Sequence, residues 1–188
     1  MFISTSQINE VVCMQKVVLS VLSFVFAVAV AVPASGQDIV INEILADPAS
    51  SNTAGDANGD GTRDATDDEF VEIYNNGSTT VDIGGYTIED ETRLRHTIPS
   101  GTTLDPGVTL TVFGGGDPTG IPGIVQTATD GALGLNNTGD TVTLKDASGT
   151  VVQSHNYGSE GGDDQSLVRS SPEFTGPFEK HTTVSADG

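Results

Sequence analysis

From residue 39 onward the chain is a series of short apolar runs separated by turn-forming residues. No apolar stripe recurs with the 3.6-residue period of an amphipathic helix, and the runs have the length of strands. The segments between them are rich in glycine, asparagine, aspartate and proline, as in Asn75-Asn-Gly77 and Asp105-Pro-Gly107, and these residues favour tight turns. The pattern predicts an all-β fold, an antiparallel β-sandwich or barrel, with almost no helix.

The apolar runs predict nine strands within one domain, and the last two strands form a hairpin. The predicted strands are residues 39–45, 70–75, 81–82, 86–89, 96–98, 108–113, 125–127, 141–145 and 151–156. Glycine supplies 23 residues and aromatic residues only 5% of the chain, so we expect a mostly aliphatic core. Phe70, Tyr86 and Phe113 are its expected large side chains. The tail after Gly158 is less regular, and no strand is predicted there.

Residues 55–68, between the first two predicted strands, form what we call the acidic loop. Asp56, Asn58 and Asp60 occupy alternate positions and Gly61 follows at once, which is the first half of the EF-hand calcium-loop pattern. Calcium takes six to eight oxygen ligands, and a coiled loop turns alternate side chains toward one centre. Glycine at the sixth position permits the sharp turn. The spacing therefore predicts that this loop binds calcium.

The rest of the predicted ligand set lies in the second half of the acidic loop. Thr62, at the seventh position, would offer its backbone carbonyl, and Asp64 at the ninth would act directly or through water. The closing carboxylate is Asp67 or Asp68, or both. No helix pattern flanks the loop, and a calcium sensor needs a helix pair that opens. We therefore predict a static structural calcium ion, and the alternative is a solvated acidic loop that binds no ion.

The N-terminal segment is typical of a secretory signal peptide. Lys16 precedes an uncharged apolar run over residues 17–32, and the small-residue segment Pro33-Ala-Ser-Gly36 follows. The run is shorter than the about 20 apolar residues of a membrane span, so an uncleaved anchor is the less favoured alternative. We predict a signal peptide over residues 1–36, with the true start at Met14, and a mature domain over residues 37–188. The single cysteine, Cys13, then lies outside the mature protein.

The charge of the chain narrows the class of partner. It has 26 acidic and 7 basic residues and a net charge of −19. Such a surface repels phosphate backbones, which argues against nucleic-acid binding, and it disfavours docking on anionic lipid. The charge and the leader together predict a secreted or cell-surface protein with no nucleic-acid partner and no membrane contact beyond the signal peptide.

No catalytic motif is present, and we predict that the chain is not an enzyme. The three histidines, His96, His155 and His181, lack metal-ligand spacing. Gly114-Gly-Gly116 is not followed by the Lys-Ser/Thr of a P-loop, so it is interpreted as a turn between strands. Two alternatives stay open, a small secreted calcium-dependent hydrolase and a carbohydrate-binding module. The second is disfavoured because the chain has no Trp and only three Tyr.

The order of short motifs along the mature chain resembles the lamin tail domain, in its bacterial secreted type. The matching segments are Ile41-Asn-Glu-Ile44, Glu69-Phe-Val-Glu-Ile73, Asn75-Asn-Gly77, Val81-Asp-Ile-Gly-Gly-Tyr86, His96-Thr-Ile-Pro99, Leu104-Asp-Pro-Gly107, Gly134-Leu-Asn-Asn-Thr-Gly-Asp-Thr-Val-Thr-Leu144, Asp146-Ala-Ser-Gly149 and Asp164-Gln-Ser-Leu-Val-Arg169. The resemblance covers about residues 39–181, and some members are similar in carrying an Asp-x-Asn-x-Asp-Gly insertion between the first two strands.

This resemblance implies an immunoglobulin-like antiparallel β-sandwich and a non-catalytic module that is attached in bacteria to secreted hydrolases or surface proteins. The predicted function is therefore a secreted or cell-surface interaction module that is stabilised by calcium, with a protein or cell-surface partner. The family usually continues past the segment that matches His181-Thr182, so truncation from a longer protein is an open alternative.

Overall fold

The computed structural model describes residues 38–170 and 176–184, all within one compact unit, Ser35–Gly188. The described residues contain twelve strands, a 3-10 helix at Ser159–Gly162 and one turn of helix, α1, at His181–Val184. The strands are β1 Ile39–Leu45, β2 Phe70–Asn75, β3 Val81–Asp82, β4 Thr87–Glu89, β5 Leu94–Thr97, β6 Thr103–Leu104, β7 Thr109–Phe113, β8 Ile124–Thr127, β9 Asp140–Lys145, β10 Val151–Tyr157, β11 Leu167–Arg169 and β12 Phe178–Lys180. The predicted signal peptide, Met14 and Cys13 lie outside the described residues.

The strands form a β-sandwich of a six-stranded and a four-stranded sheet, with β3 and β6 as a small extra pair. The six-stranded sheet has the order β12-β11-β1-β2-β7-β8 and the four-stranded sheet β10-β9-β4-β5. All neighbours are antiparallel except β7 and β8, which run parallel. The predicted all-β antiparallel sandwich is confirmed, with one parallel pair at an edge. Residues 114–123, which join β7 to β8, therefore have to return along the strand before β8 begins.

The core lies between the two sheets and follows the alternation of the strands. In β2 and β9 every second residue is buried, as expected when one face of a strand packs and the other is turned outward. β1 is instead buried at every residue except Glu43, and its register with β2 shifts at a bulge between Ile41 and Glu43. Since a bulge inserts one extra residue, Ile41 and Ile44 both reach the core, and they are 0% and 1% exposed.

Three strands were not predicted. β6 has two residues, and β11 and β12 have three each, too few to display a period. They are strands because a neighbouring strand pairs with each of them: β6 pairs with β3, β11 with β1 and β12 with β11. The predicted hairpin is confirmed as β9 and β10.

The expectation for the aromatic core was only partly correct. Phe113 is buried at 1% exposure, whereas Phe70 and Tyr86 are half-buried. Tyr157, at the end of β10, is the largest of the fully buried side chains among the described residues. None of the helices in the described part of the chain combines the length and the apolar character that crossing a bilayer requires.

Candidate functional site

The acidic loop leaves the segment after β1, leads into β2 and contains turns and no helix. Arg63 fixes its middle to that segment, because its Nε donates to the Ala49 carbonyl at 3.0 Å and its Nη2 to the Pro48 carbonyl at 2.7 Å. At the start of the loop the Gly55 N–H donates to the Ser51 carbonyl. Hydrogen bonds therefore hold the loop to the segment between the two neighbouring strands β1 and β2.

The alternating side chains of the first half fold back into the loop. Asp56 Oδ2 accepts the Gly61 N–H at 3.0 Å, Asn58 Oδ1 accepts the Asp60 N–H at 3.0 Å, and Asp60 Oδ1 accepts the Thr62 N–H at 2.8 Å. Gly61 has φ +90°, the conformation for which glycine was predicted at this position. Thr62 itself is exposed. The structure therefore brings Asp56, Asn58 and Asp60 together around one tight turn.

Asp68 closes the loop through the backbone. Its side chain is 0% exposed, its Oδ1 accepts the Asn58 N–H at 3.0 Å and its Oδ2 accepts the Asp64 N–H at 2.7 Å. Both of its oxygens therefore serve the fold of the loop. Asp64 has a related role nearby, since its Oδ1 accepts the N–H groups of Thr66 and Asp67, and these bonds lower the pKa of its exposed carboxyl.

Asp67 lies among the other carboxylates of the loop. Burial raises the pKa of Asp67, and the negative charges of Asp64, Asp60 and Asp68 raise this pKa further. These charges therefore lie within electrostatic range of the Asp67 carboxyl, where a nearby cation would relieve their repulsion.

The segment that joins β7 to β8 covers the acidic loop. The Thr119 N–H donates to the Asn58 carbonyl at 2.9 Å and its Oγ1 to the Gly59 carbonyl at 2.6 Å, while Asp60 Oδ2 accepts the Asp117 N–H at 3.3 Å. Gly116 has φ +71°, and a Cβ at this position would collide with the side chains of Asn58 and Asp60. The glycines after β7, interpreted from the sequence as a turn, let a second loop approach the first closely.

Two observations on the described residues bear on calcium binding, one in favour of it and one against it. Asp56 Oδ1 is buried and has no hydrogen-bond partner in the described part of the chain, so it is an oxygen available to a cation. No group of three His, Cys, Asp or Glu side chains within residues 38–170 and 176–184 is arranged to hold a metal ion. An ion here would depend on amide and backbone oxygens as well as carboxylates, and EF-hand loops use such a mixture.

A trio of Glu43, Ser166 and His181 lies at a place that no motif in the sequence indicates. Glu43 Oε1 accepts a hydrogen bond from Ser166 Oγ and lies 3.0 Å from His181 Nδ1, which is 3.1 Å from Ser166 Oγ. They line a cavity of about 310 Å³. In a hydrolase triad the two ring nitrogens of histidine serve the acid and the nucleophile separately. Here the same ring nitrogen, Nδ1, lies beside both the carboxylate and the hydroxyl, which is not the arrangement of a triad. The trio instead connects β1, α1 and the residue before β11.

A second polar cluster is buried near the end of the acidic loop. Arg95 binds Asp90 at 2.6 Å between two largely buried side chains, and the Tyr157 hydroxyl is buried without a partner among the described residues. Burial raises the pKa of Glu69 to about 7, although the Leu135 N–H that donates to its Oε2 opposes the shift. These residues come from separate segments, and no local sequence signal links them.

Comparison with known proteins identifies the family. The model of the lamin tail domain matches residues 32–159, more than half of the 188 residues. No curated protein gives a significant match. The lamin tail domain is a non-enzymatic, immunoglobulin-like interaction domain, and the sandwich described above has that fold. The chain therefore belongs to the lamin tail domain family.

Proposed function

We propose that this chain is a secreted or cell-surface interaction module of the bacterial type, without catalytic activity, whose acidic loop binds one structural calcium ion. The observation that carries the calcium proposal is the buried Asp56 Oδ1, which has no hydrogen-bond partner within residues 38–170 and 176–184 and lies in the same turn as Asn58 and Asp60. A hard cation with oxygen ligands matches this set of donors.

The proposed ligands are Asp56, Asn58, Asp60, the Thr62 carbonyl and Asp67. Asp67 is preferred to Asp68 as the closing carboxylate because Asp67 is half-buried, whereas Asp68 is 0% exposed and holds the N–H groups of Asn58 and Asp64. Asp67 also lies among charges that raise its pKa, and a divalent ion would reverse that effect. Asp68 would then hold the backbone that the ion requires.

The proposed location rests on the leader-like residues 1–36 and on the net charge of −19. The domain family is a non-enzymatic interaction domain. The partner is therefore expected to be a protein or a cell-surface molecule, and calcium is the only cofactor proposed. The trio of Glu43, Ser166 and His181 does not support the hydrolase alternative, since Ser166 donates to the carboxylate. No specific observation favours the carbohydrate-binding alternative.

Thermal unfolding in calcium, magnesium and chelator tests the calcium proposal. A ligand that binds only the folded state stabilises it by about 2.7 kcal/mol at a hundredfold excess over Kd, which is roughly 5 to 10 °C for a domain of this size. We expect calcium to raise Tm by about this amount. Magnesium should raise Tm much less, because it demands octahedral geometry and keeps its waters.

Asp60→Ala should abolish most of the calcium shift. Glu91→Ala is the matched control, because Glu91 is an exposed carboxylate outside the loop, and it should keep the shift. Equal Tm values for the wild type in calcium and in chelator would contradict the proposal and leave the loop as a solvated acidic segment.

A further inference from the structure

Two glutamates face each other on the outer side of the six-stranded sheet. Glu43 on β1 pairs with Glu72 on β2, and Glu72 pairs with Thr111 on β7. Like charges directly opposite each other destabilise a sheet. The pKa of Glu72 is raised, first by burial and then by the charge of Glu43, against the hydrogen bond from Asn42. Glu43 already has Ser166 and His181 at its Oε1. Among the described residues no cationic group pairs with Glu72, whose partners are Asn42 and Thr111.

The pair lies in a cavity with apolar walls. Glu43 and Glu72 share a cavity of about 200 Å³ with Phe70 and Phe113, whose rings meet edge to face at 5.5 Å between centroids. Ala57 of the acidic loop, together with Ile121 and Pro122 of the segment that joins β7 to β8, also lines it. The cavity therefore combines carboxylates with aromatic and aliphatic surface.

A third acceptor lies beside the glutamates. Asn42, at the bulge of β1, is 6% exposed, and its Nδ2 donates to Glu72 Oε1 at 2.7 Å. Its Oδ1 is buried and has no hydrogen-bond partner in the described part of the chain. Asn42 is not among the residues that line the cavity, so its amide holds Glu72 in place from outside the cavity.

We propose that this cavity binds one cationic side chain, of arginine or lysine, from a protein partner. The apolar walls suit the methylene stem, and the carboxylates suit the guanidinium or ammonium group. A cation beside Phe70 also gains attraction from the aromatic face. The net charge of −19 would attract a basic partner surface, as complementary potentials steer association.

This inference rests on the proposed interaction function and gives it a partner chemistry. It also connects the cavity to the acidic loop, because Ala57 lies between the proposed ligands Asp56 and Asn58. The segment with Ile121 and Pro122 bonds to the same loop through Thr119. Two of the cavity walls therefore depend on the position of the loop.

The test is an NMR titration of the isotope-labelled protein in calcium with Nα-acetyl-arginine amide and Nα-acetyl-lysine amide. We expect saturable shifts at the backbone amides of Phe70, Glu72 and Thr111 with both cations. The neutral Nα-acetyl-norleucine amide should give none. Shifts that spread over the acidic surface without saturation, or equal shifts with norleucine, would overturn the proposal.

Glu72→Gln keeps the shape of the side chain and its contact with Asn42 and removes one charge. It should weaken binding about tenfold or more, since a charge-assisted hydrogen bond is about twice as strong as a neutral one. Glu91→Gln, an equal change of charge at an exposed site on another segment, should leave Kd unchanged. An equal loss of binding in both variants would show attraction to overall charge only and would refute the cavity.

The wild-type titration with the charged and neutral probes decides the question even if Glu72→Gln does not fold. Its failure is also distinct from failure of the calcium proposal. A calcium-dependent Tm without binding of the cationic probes would reject the cavity and keep the calcium-stabilised module. Saturable binding of these probes to a protein whose Tm does not respond to calcium would keep the cavity and reject the calcium proposal.

Discussion

At the scale of single residues, two neighbouring aspartates have different tasks. Asp68 is fully buried and accepts two backbone N–H groups, one of them from the buried Asn58. Asp67 is only half-buried, and its pKa is raised by burial and by three neighbouring carboxylates. Asp68 therefore stabilises the acidic loop whether or not an ion is present, whereas Asp67 is expected to contribute only through the proposed calcium ion.

Removing each carboxylate separates these tasks. Asp68→Ala leaves the Asn58 N–H buried without its partner, which costs about 1–3 kcal/mol, so Tm should fall in chelator as well as in calcium. Asp67→Ala should leave Tm in chelator nearly unchanged and reduce the shift that calcium produces. Thermal melts of both variants in calcium and in chelator make the comparison. If Asp68→Ala lost only the calcium shift, Asp68 would be a ligand and the division would be wrong.

At the scale of elements, the acidic loop and the segment that joins β7 to β8 form one structure. Gly116 has φ +71°, and an added Cβ would run into Asn58 and Asp60. Gly120, in the same segment, has φ +73° with nothing within 4 Å of an added Cβ. The two glycines share the backbone conformation and differ in the contact, which makes them a matched pair.

Alanine at the two positions measures what that contact contributes. Gly120→Ala should lower the stability by about 1 kcal/mol, the cost of a left-handed backbone for a residue with a side chain. Gly116→Ala should lower it more and should also weaken calcium binding, because Asn58 and Asp60 have to move. Chemical unfolding and calcium titration of both variants provide the measurement. Equal effects of the two changes would mean that the segment does not support the loop.

The strands and the acidic loop could be predicted from the sequence, whereas the contact between the loop and the segment that joins β7 to β8 could not. β1, β2 and β3 begin and end at the predicted residues, because their apolar pattern and flanking turns are local. The acidic loop was likewise visible through the spacing of Asp56, Asn58 and Asp60. Its cover by residues 115–119 was not, since contacts between distant segments leave no local period. For the same reason the opposed pair Glu43 and Glu72 becomes visible only through the strand register.

At the scale of the whole molecule, the domain extends beyond the family match. That match ends at residue 159, but β11 and β12 follow it and complete the six-stranded sheet. β11 covers the edge of β1 that β2 does not, and Ser166 and His181 hold Glu43 on the same strand. A fragment that ended at residue 159 would leave β1 with an open edge.

The open edge of a strongly apolar strand such as β1 is a template for pairing with another chain. We therefore expect a fragment of residues 37–159 to form oligomers or aggregates, while residues 37–188 stay monomeric at the same concentration. Size-exclusion chromatography with light scattering makes the comparison. A folded, monomeric fragment would show that the residues after 159 are an appendage and not part of the sandwich.

The pairing of β1 with β11 also determines the order in which the domain can be completed during synthesis. Glu43 and Ser166 are 123 positions apart in the chain, and non-local contacts of this kind slow folding because a long loop has to close first. β1 is among the first strands to be made, yet its second neighbour arrives only after nearly the whole sandwich has been translated. Until then the nascent chain holds an incomplete sheet, and the six-stranded sheet is complete only after translation has passed residue 180, where β12 ends.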